Sequence, residues 1–410
     1  MKKTQLFVVL YFLTFHLTAQ VITNYTTSDG LLDNFVECID VDDNDNIWFG
    51  TSVGVQMYDG VNWYTWSQAD FPDIVSDNIK CIKATSSGEI WIGTNYGVNQ
   101  LLYGIPGSVW VPYTSSNGLI NNQVKSIDED PNGGIWIGTS QGVSYFDGTS
   151  WTSYSSPDLH WSGVNTTAFD SNGDKWFASP LGGVTHFNGI NFTTYDNSNG
   201  LLSQNVTDII IDNQDNKWIG TGSGMSVLNT TNTLFTHYTQ MYLLPPPDTL
   251  NPIVDIEMDS YGRIWAAIYV GYLGEGGIAM WNGSQWIDFD VSDGIVGQNV
   301  KGLSIDSEDN IWIATTTGVS KISAIPSSVD IEIPVEFDIF PNPSHGKICL
   351  NNNEGSFKQI EIYNALGTLV YSNYNTKEIF CFNLSFLNQG VYYVNLNLKG
   401  KIFNKKLIIH

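Results

Sequence analysis

From residue 21 to about residue 325 the chain alternates short runs of Val, Ile, Trp and Tyr with clusters of Asp, Asn and Gly. One stretch reads VKSIDED, GGIWIGTS, GVSYFDG and SWTSYSS in succession. Runs of this kind, bounded by turn-forming residues, are the pattern of short antiparallel strands joined by hairpins. None is long enough for a 3.6-residue period, so no helix is expected. A single motif recurs through this region. Its first copy is Ile47-Trp48-Phe49-Gly50-Thr51, closed by Gly54-Val55, and the motif tryptophans are Trp48, Trp91, Trp136, Trp176, Trp218, Trp265 and Trp312. Successive spacings run from 40 to 47 residues. Four strands per repeat and a period in the forties predict an all-β fold, a seven-bladed β-propeller with one blade per repeat.

Closure of the ring is legible as well. The outer strands carry aromatic pairs: Trp63/Trp66, Trp110/Tyr113, Trp151/Tyr154, Phe192/Tyr195, Phe235/Tyr238 and Trp286/Phe289. The seventh repeat stops at Lys321-Ile322 without one. A matching segment, Ile22-x-x-Tyr25 followed by Asp29-Gly30-Leu31-Leu32, stands near the start, like Phe192-x-x-Tyr195 followed by Asn199-Gly200-Leu201-Leu202. The N-terminal strand is therefore expected to complete the last blade and remove two unpaired edges.

The recurring tryptophans read as core. A buried indole hides roughly 150–250 Å², worth at most ~4–6 kcal/mol, and a residue present in every blade serves packing between blades. Acidic turns such as DVDDNDN (40–46) and DEDPNGG (128–134) follow the inner strands. Asp128, Asp130, Asn132 and Gly133 fit the opening of a calcium loop, but Thr139 stands where the closing Glu is needed. Calcium is thus the minor reading, and no other cofactor or metal is indicated. The main one is that Asp and Asn bond nearby backbone N–H groups and tolerate the turn; Thr85-Ser86-Ser87-Gly88-Glu89 does that job with a single acid.

Charge changes the picture by exclusion. Residues 21–325 hold 34 acidic and 8 basic side chains, whereas residues 335–410 hold 5 and 7. So acidic a propeller repels nucleic acid and anionic membranes, and suits neutral glycans, basic proteins or cations. Ahead of it, Lys2 and Lys3 precede an apolar run from Leu6 to Phe15, and Leu17-Thr18-Ala19 before Gln20 suits cleavage. Residues 1–19 therefore read as a signal peptide, with no membrane-spanning segment expected beyond it. Four cysteines follow. Cys38 and Cys81 occupy a position held elsewhere by Ser126, Thr166, Asp208, Asp255 and Gly302, where free thiols are expected and a disulfide is the alternative. Cys349 and Cys381 lie on segments that could be neighbouring strands, and their spacing leaves a bridge open.

Candidate ligand contacts come from places where the repeat symmetry breaks. The loop before an inner strand and the loop between second and third strands open on one face. Both are longer in the sixth repeat, at 239–252 and 268–277, adding Tyr242, Tyr269, Tyr272 and Glu275 to one rim. Tyr96, Gln141, His160 and Trp161 come from the same face of other blades, and exposed aromatics there suit a sugar ring or a partner side chain. Asp248-Thr249-Leu250 also resembles a short acceptor pattern for bacterial O-linked glycans. For catalysis no HExxH, CxxC, Gly-x-Ser-x-Gly or phosphate-binding loop occurs. Asp208 and Asp255, on adjacent inner strands, are the pair that could meet in the central channel. Acids of strongly shifted pKa in a deep pocket would favour an enzyme; an aromatic rim without them would favour binding.

On the motif Ile-Trp-Ile-Gly-Thr…Gly-Val, the repeats resemble the two-component-regulator propeller family. Its members often form the extracytoplasmic sensor half of hybrid histidine kinases in Bacteroidetes-type bacteria. Beyond residue 325, Pro326-Ser327-Ser328 opens a linker (326–334), and the composition changes. Residues 335–410 resemble the type A C-terminal sorting domain of the type IX secretion system. The matching features are Phe340-Pro341-Asn342-Pro343 with Gly346, Asn364-x-x-Gly367, Leu387-x-x-Gly390-x-Tyr392 and a terminal strand with Lys406; Thr368 stands where that family usually has Lys or Arg. The resemblance implies an Ig-like β-sandwich read by the outer-membrane translocon, and hence a secreted or surface location. Three functions follow as expectations: a surface-displayed binding module for a glycan or protein, a polysaccharide-acting enzyme, and a detached sensor propeller.

Overall fold

The structure is a computed structural model. It describes residues 21–409 apart from 103–107, 243–250, 272, 324–336, 341, 343, 345, 353–358, 365–367, 374–378 and 399–400. The expected leader, Tyr272, the 248–250 pattern, Pro341, Pro343 and Gly367 lie outside the described residues. Two compact units divide the chain, Met1–Ser327 and Ser328–His410.

In the first unit, seven four-stranded antiparallel sheets follow one another. Their inner strands are Val36–Val41, Ile79–Ala84, Val124–Glu129, Thr166–Phe169, Val206–Ile211, Ile253–Met258 and Val300–Ile305. Each inner strand packs against the next, and the seventh against the first, so the ring closes on itself. The seventh sheet takes its outer strand from Val21–Tyr25, paired with Gly318–Ser323 in the register Val21↔Ser323 to Tyr25↔Val319.

Every motif tryptophan lies on a second strand and stacks on the last aromatic of its outer strand. The pairs are Trp48–Trp66, Trp91–Tyr113, Trp136–Tyr154, Trp176–Tyr195, Trp218–Tyr238, Trp265–Phe289 and Trp312–Tyr25, with centroids 5.3–6.1 Å apart and planes within 5–27°. Tyr25 thus does for the seventh sheet what each chain-local aromatic does for the others. Its ring also reaches Tyr58 and Trp63 of the first sheet, 5.6 and 6.2 Å away, so it spans the seam. The Gly-Val pair after the motif is fixed by close approach. Gly54 has φ +140°, and a Cβ there would come within 2.6 Å of the Trp66 carbonyl oxygen.

The acidic turns are structural clamps. Six tryptophans donate their indole N–H to the carboxylate six residues earlier: Asp42, Asp130, Asp170, Asp212, Asp259 and Asp306, at 2.8–3.1 Å. Trp91, which has Thr85 at that place, donates to Glu89 instead, at 3.1 Å. The other oxygen of Asp130 accepts the Asn132 and Gly134 amides, whereas Asp128 faces the channel. The two acids of the suggested calcium loop therefore serve different places. Further acids latch neighbouring sheets: Asp45, with φ +59°, accepts the Ser307 amide and hydroxyl at 2.9 and 2.6 Å across the seam.

The second unit pairs a three-stranded sheet with a four-stranded one around a shared core of Ile348, Ile360, Ile362, Leu384, Tyr392, Val394, Leu407 and Ile409. Cys349 and Cys381 sit opposite each other on adjacent strands and form a disulfide. Cys38 and Cys81 are free. Among the sorting-motif residues, the Asn342 side chain accepts the Ile408 amide at 3.0 Å, tying that turn to the last strand. Gly346 (φ +100°) has no room for a Cβ, which would fall 2.6 Å from the backbone of Ser385. Gly390 begins the strand opposite Ile409, where a Cβ would make only ordinary contact with the Tyr392 ring at 3.8 Å, and Lys406 lies on the final strand opposite Tyr393.

Candidate functional site

The seven inner strands enclose a central channel of about 600 Å³. What lines it follows from register, because residues at one offset before the motif tryptophan stand at one height in every sheet. Eight residues before it come Asp40, Lys83, Asp128 and Glu257; ten before it come Cys38, Cys81, Asp208 and Asp255. Of the eight cations in residues 21–325, Lys80, Lys83, Lys125 and Lys301 face this channel. The other four, Lys175, Lys217, Arg263 and Lys321, lie over motif tryptophan rings at 4.9–5.9 Å. The channel itself holds six acids, Glu37, Asp40, Asp128, Asp208, Asp255 and Glu257, against those four lysines.

Asp208 and Asp255 do meet. Both line the channel on adjacent inner strands, where two buried carboxylates disfavour each other's ionisation. Burial away from water raises both carboxyls, and for Asp255 the Asp208 charge adds to it. Burial likewise pushes Asp128 up to about 7 and Glu257 up to about 8. Lys83 sits 3.4 Å from Asp40, whose carboxylate holds the ammonium group charged to well above its ordinary range. Cys38 and Cys81 are held as thiols, also by burial.

Most of these acids are engaged by the backbone of the next sheet. Asp40 accepts the Ala84 amide at 2.8 Å, Asp128 the Thr167 amide at 3.0 Å, Asp208 the Ile256 amide at 2.7 Å and Asp255 the Leu303 amide at 2.6 Å. Each links two inner strands whose facing edges have no ladder partner, so the carboxyls act first as struts. Sequence reasoning singled out Asp208 and Asp255 but missed Asp40, Lys83, Asp128 and Glu257. The signal was present in their common offset from the tryptophan.

One cluster has the donor types of a metal site. Asp170, Asp174 and His186 bring ligand atoms within 4.8 Å of one another. His186 Nε2 is 2.8 Å from Asp174 and its ring stacks on Trp176 at 4.3 Å, while Asp170 holds the indole N–H and two turn amides. In the seventh sheet Lys321 occupies the position of His186, 3.3 Å from Asp306 and over Trp312. The place is one for a side-chain cation.

The rim residues divide. Tyr96 is 66% exposed and Trp161 46% exposed, on loops at the channel end where the inner strands begin. Tyr242 is a correction: it is 5% exposed, packed among Met241, Ile253 and Ile268, with its hydroxyl 3.1 Å from Asp290. An apolar ring beside an apolar strand is buried whatever the length of its loop. The 268–277 segment is corrected too. It is an extension of the hairpin, with Ile264–Val270 pairing Glu275–Trp281, because the tyrosine-rich sequence continues the ladder. Tyr269 on it is half-buried, and Glu275 accepts the Gln298 side-chain amide at 3.3 Å.

Two family models match parts of the chain. Residues 338–410 match the model of the secretion system C-terminal sorting domain, and residues 30–52 and 118–141 match that of the two component regulator propeller. The chain thus carries a propeller with repeats that match the regulator model, followed by a tail that matches the sorting-domain model. Export to the cell surface or beyond follows from that tail. No curated protein sequence matches the chain. Among solved structures it is similar to the extracellular domain of BT3049, described as a hybrid two component system, from B. thetaiotaomicron: TM-score 0.64, 18% identity, 95% of this chain and 57% of that one. It also resembles PorZ, a surface component of the type-IX secretion system of Porphyromonas gingivalis: TM-score 0.58, 16% identity, 92% and 60%. Virginiamycin B lyase from Staphylococcus aureus matches at TM-score 0.58 and 15% identity, over 75% of this chain and all of the other. The chain thus spans about three-fifths of the first two, and at these identities the likeness is one of fold. Among the described residues no helix is long and apolar enough to cross a membrane.

Proposed function

We propose that this regulator-type propeller is a ligand-binding module displayed outside the cell, taking a glycan or a protein on the face that carries Tyr96 and Trp161. One observation carries the reading: Tyr96 and Trp161 stand well exposed beside the channel mouth, on sheets two and four of a scaffold whose seven motif tryptophans are buried. Rigid flat rings presented to water suit stacking on sugars or on a partner's side chains. The tail supplies delivery by the type IX translocon. A glycan-array screen of the purified protein tests this, with Tyr96→Ala and Trp161→Ala weakening the hit at least about tenfold each. Unchanged binding in both variants removes this face from the reading.

A second reading, catalysis on polysaccharide in the channel, is favoured by Asp128 and Glu257, whose carboxyls burial pushes up into the range where they exchange a proton near neutral pH. It is weakened by the backbone amide that already occupies Asp128. Degradation of a polysaccharide that stops in Glu257→Gln, with no retained ligand, selects this reading over binding.

A further inference from the structure

We propose that the channel mouth is an anion site in which Lys80, Lys125 and Lys301 take the charged group of an acidic sugar. The proposal rests on the reading that this face binds a ligand, and names that ligand's chemistry.

Eleven residues before the motif tryptophan, at the mouth end of each inner strand, stand Lys301, Glu37, Lys80 and Lys125 on the seventh, first, second and third sheets. These four sheets are consecutive around the ring, so the charges form one crescent rather than a scatter. The other three positions, Asn165, Thr207 and Val254, are uncharged. Glu37 is shared: one oxygen lies 3.4 Å from Lys80 Nζ and the other 3.5 Å from Lys301 Nζ. Both contacts are loose, and these side chains keep 23–29% of their surface open to water. Lys125 is exposed and makes no ion pair among the described residues. At this height three ammonium groups face one carboxylate.

That surplus is notable in a propeller with 34 acids and 8 bases. Of the five other cations, Lys83 is paired with Asp40 and the remaining four lie over tryptophan rings, while Lys301 of the crescent itself lies over the Phe35 ring at 5.3 Å. At physiological salt, charges more than ~8 Å away are largely screened, so the crescent rather than the domain's net charge governs a ligand at the mouth. Lysine ammoniums are point charges with three donors, suited to a carboxylate or a phosphate alike. Tyr96 rises from the second sheet, which also carries Lys80, and Trp161 precedes the inner strand of the fourth, so the third sheet with Lys125 stands between them. Rings flanking cations match a ligand that is both flat-faced and anionic, which an acidic sugar is.

Titration calorimetry on the whole purified protein tests this with tetragalacturonate, its carboxyl-reduced neutral counterpart and glucose 6-phosphate. Binding of the uronate or of the phosphate, at least tenfold tighter than the neutral chain, is expected, and which of the two binds identifies the anion. The Lys80→Gln/Lys125→Gln/Lys301→Gln variant should lose at least tenfold, with an unchanged melting temperature. Glu37→Gln should bind more tightly, because a competitor for two of the ammoniums is gone. Equal affinity for charged and neutral probes, retained affinity in the triple variant, or no binding of either anion overturns the proposal. Should an array hit still depend on Tyr96 in any of those cases, the binding face stands and the crescent alone falls.

Discussion

Removal of the Tyr25 ring should open the seam of the propeller. This side chain arrives from the far end of the sequence, stacks on Trp312 at 5.5 Å and reaches Tyr58 and Trp63 of the first sheet. About half of a tyrosine's usual burial, ~100 Å², is worth ~2.5 kcal/mol at ~25 cal/mol per Å². The aromatic pairing adds ~1 kcal/mol beyond area. Tyr25→Ala should therefore cost about 3 kcal/mol in urea unfolding followed by tryptophan fluorescence. Tyr25→Phe keeps the ring and should stay within about 0.5 kcal/mol of the parent, as neutral substitutions do. Amide hydrogen exchange supplies the local readout. Protection should fall first along Gly318–Ser323, the strand paired with Val21–Tyr25. A loss under about 1 kcal/mol for the alanine variant, below what that burial predicts, or unchanged exchange on that strand, would show that closure does not depend on this stack.

Asp259→Ala should cost about 3–5 kcal/mol, since it removes the carboxylate that both pairs the buried Arg263 and accepts the Trp265 indole N–H; an effect no larger than that of Asp42→Ala, whose carboxylate pairs no cation, would contradict the ion-pair argument. Stability should fall as pH rises from about 5 to about 9, because Glu257 and Asp128 have folded pKa values of about 8 and about 7, above their unfolded ones, so the folded state binds more protons. Glu257→Gln should flatten that decline in melting temperature, and an unchanged slope would count against the buried-carboxyl account. Reduction of Cys349–Cys381, whose sequence separation is 32, should destabilise the isolated transition of the tail by about 4 kcal/mol on loop entropy; calorimetry with and without reductant measures it, and coincident transitions would refute it.

What the sequence alone determined is whatever repeats and whatever is local. Seven copies of one motif predicted the sheets, and the aromatic absent from the seventh repeat predicted that Val21–Tyr25 pairs with residues 318–323. The turn chemistry was equally readable, since an aspartate and the indole it holds are six residues apart. Tertiary structure decided everything that depends on which way a side chain turns or on which strands share a space. Tyr242 looked like a rim residue until its strand-side neighbours buried it. The channel carboxyls and the lysine crescent come from positions tens to hundreds of residues apart, made adjacent only when the ring closes. An offset from a tryptophan carries no charge meaning along the chain; it acquires one when seven strands bring that offset to the same height around a common axis.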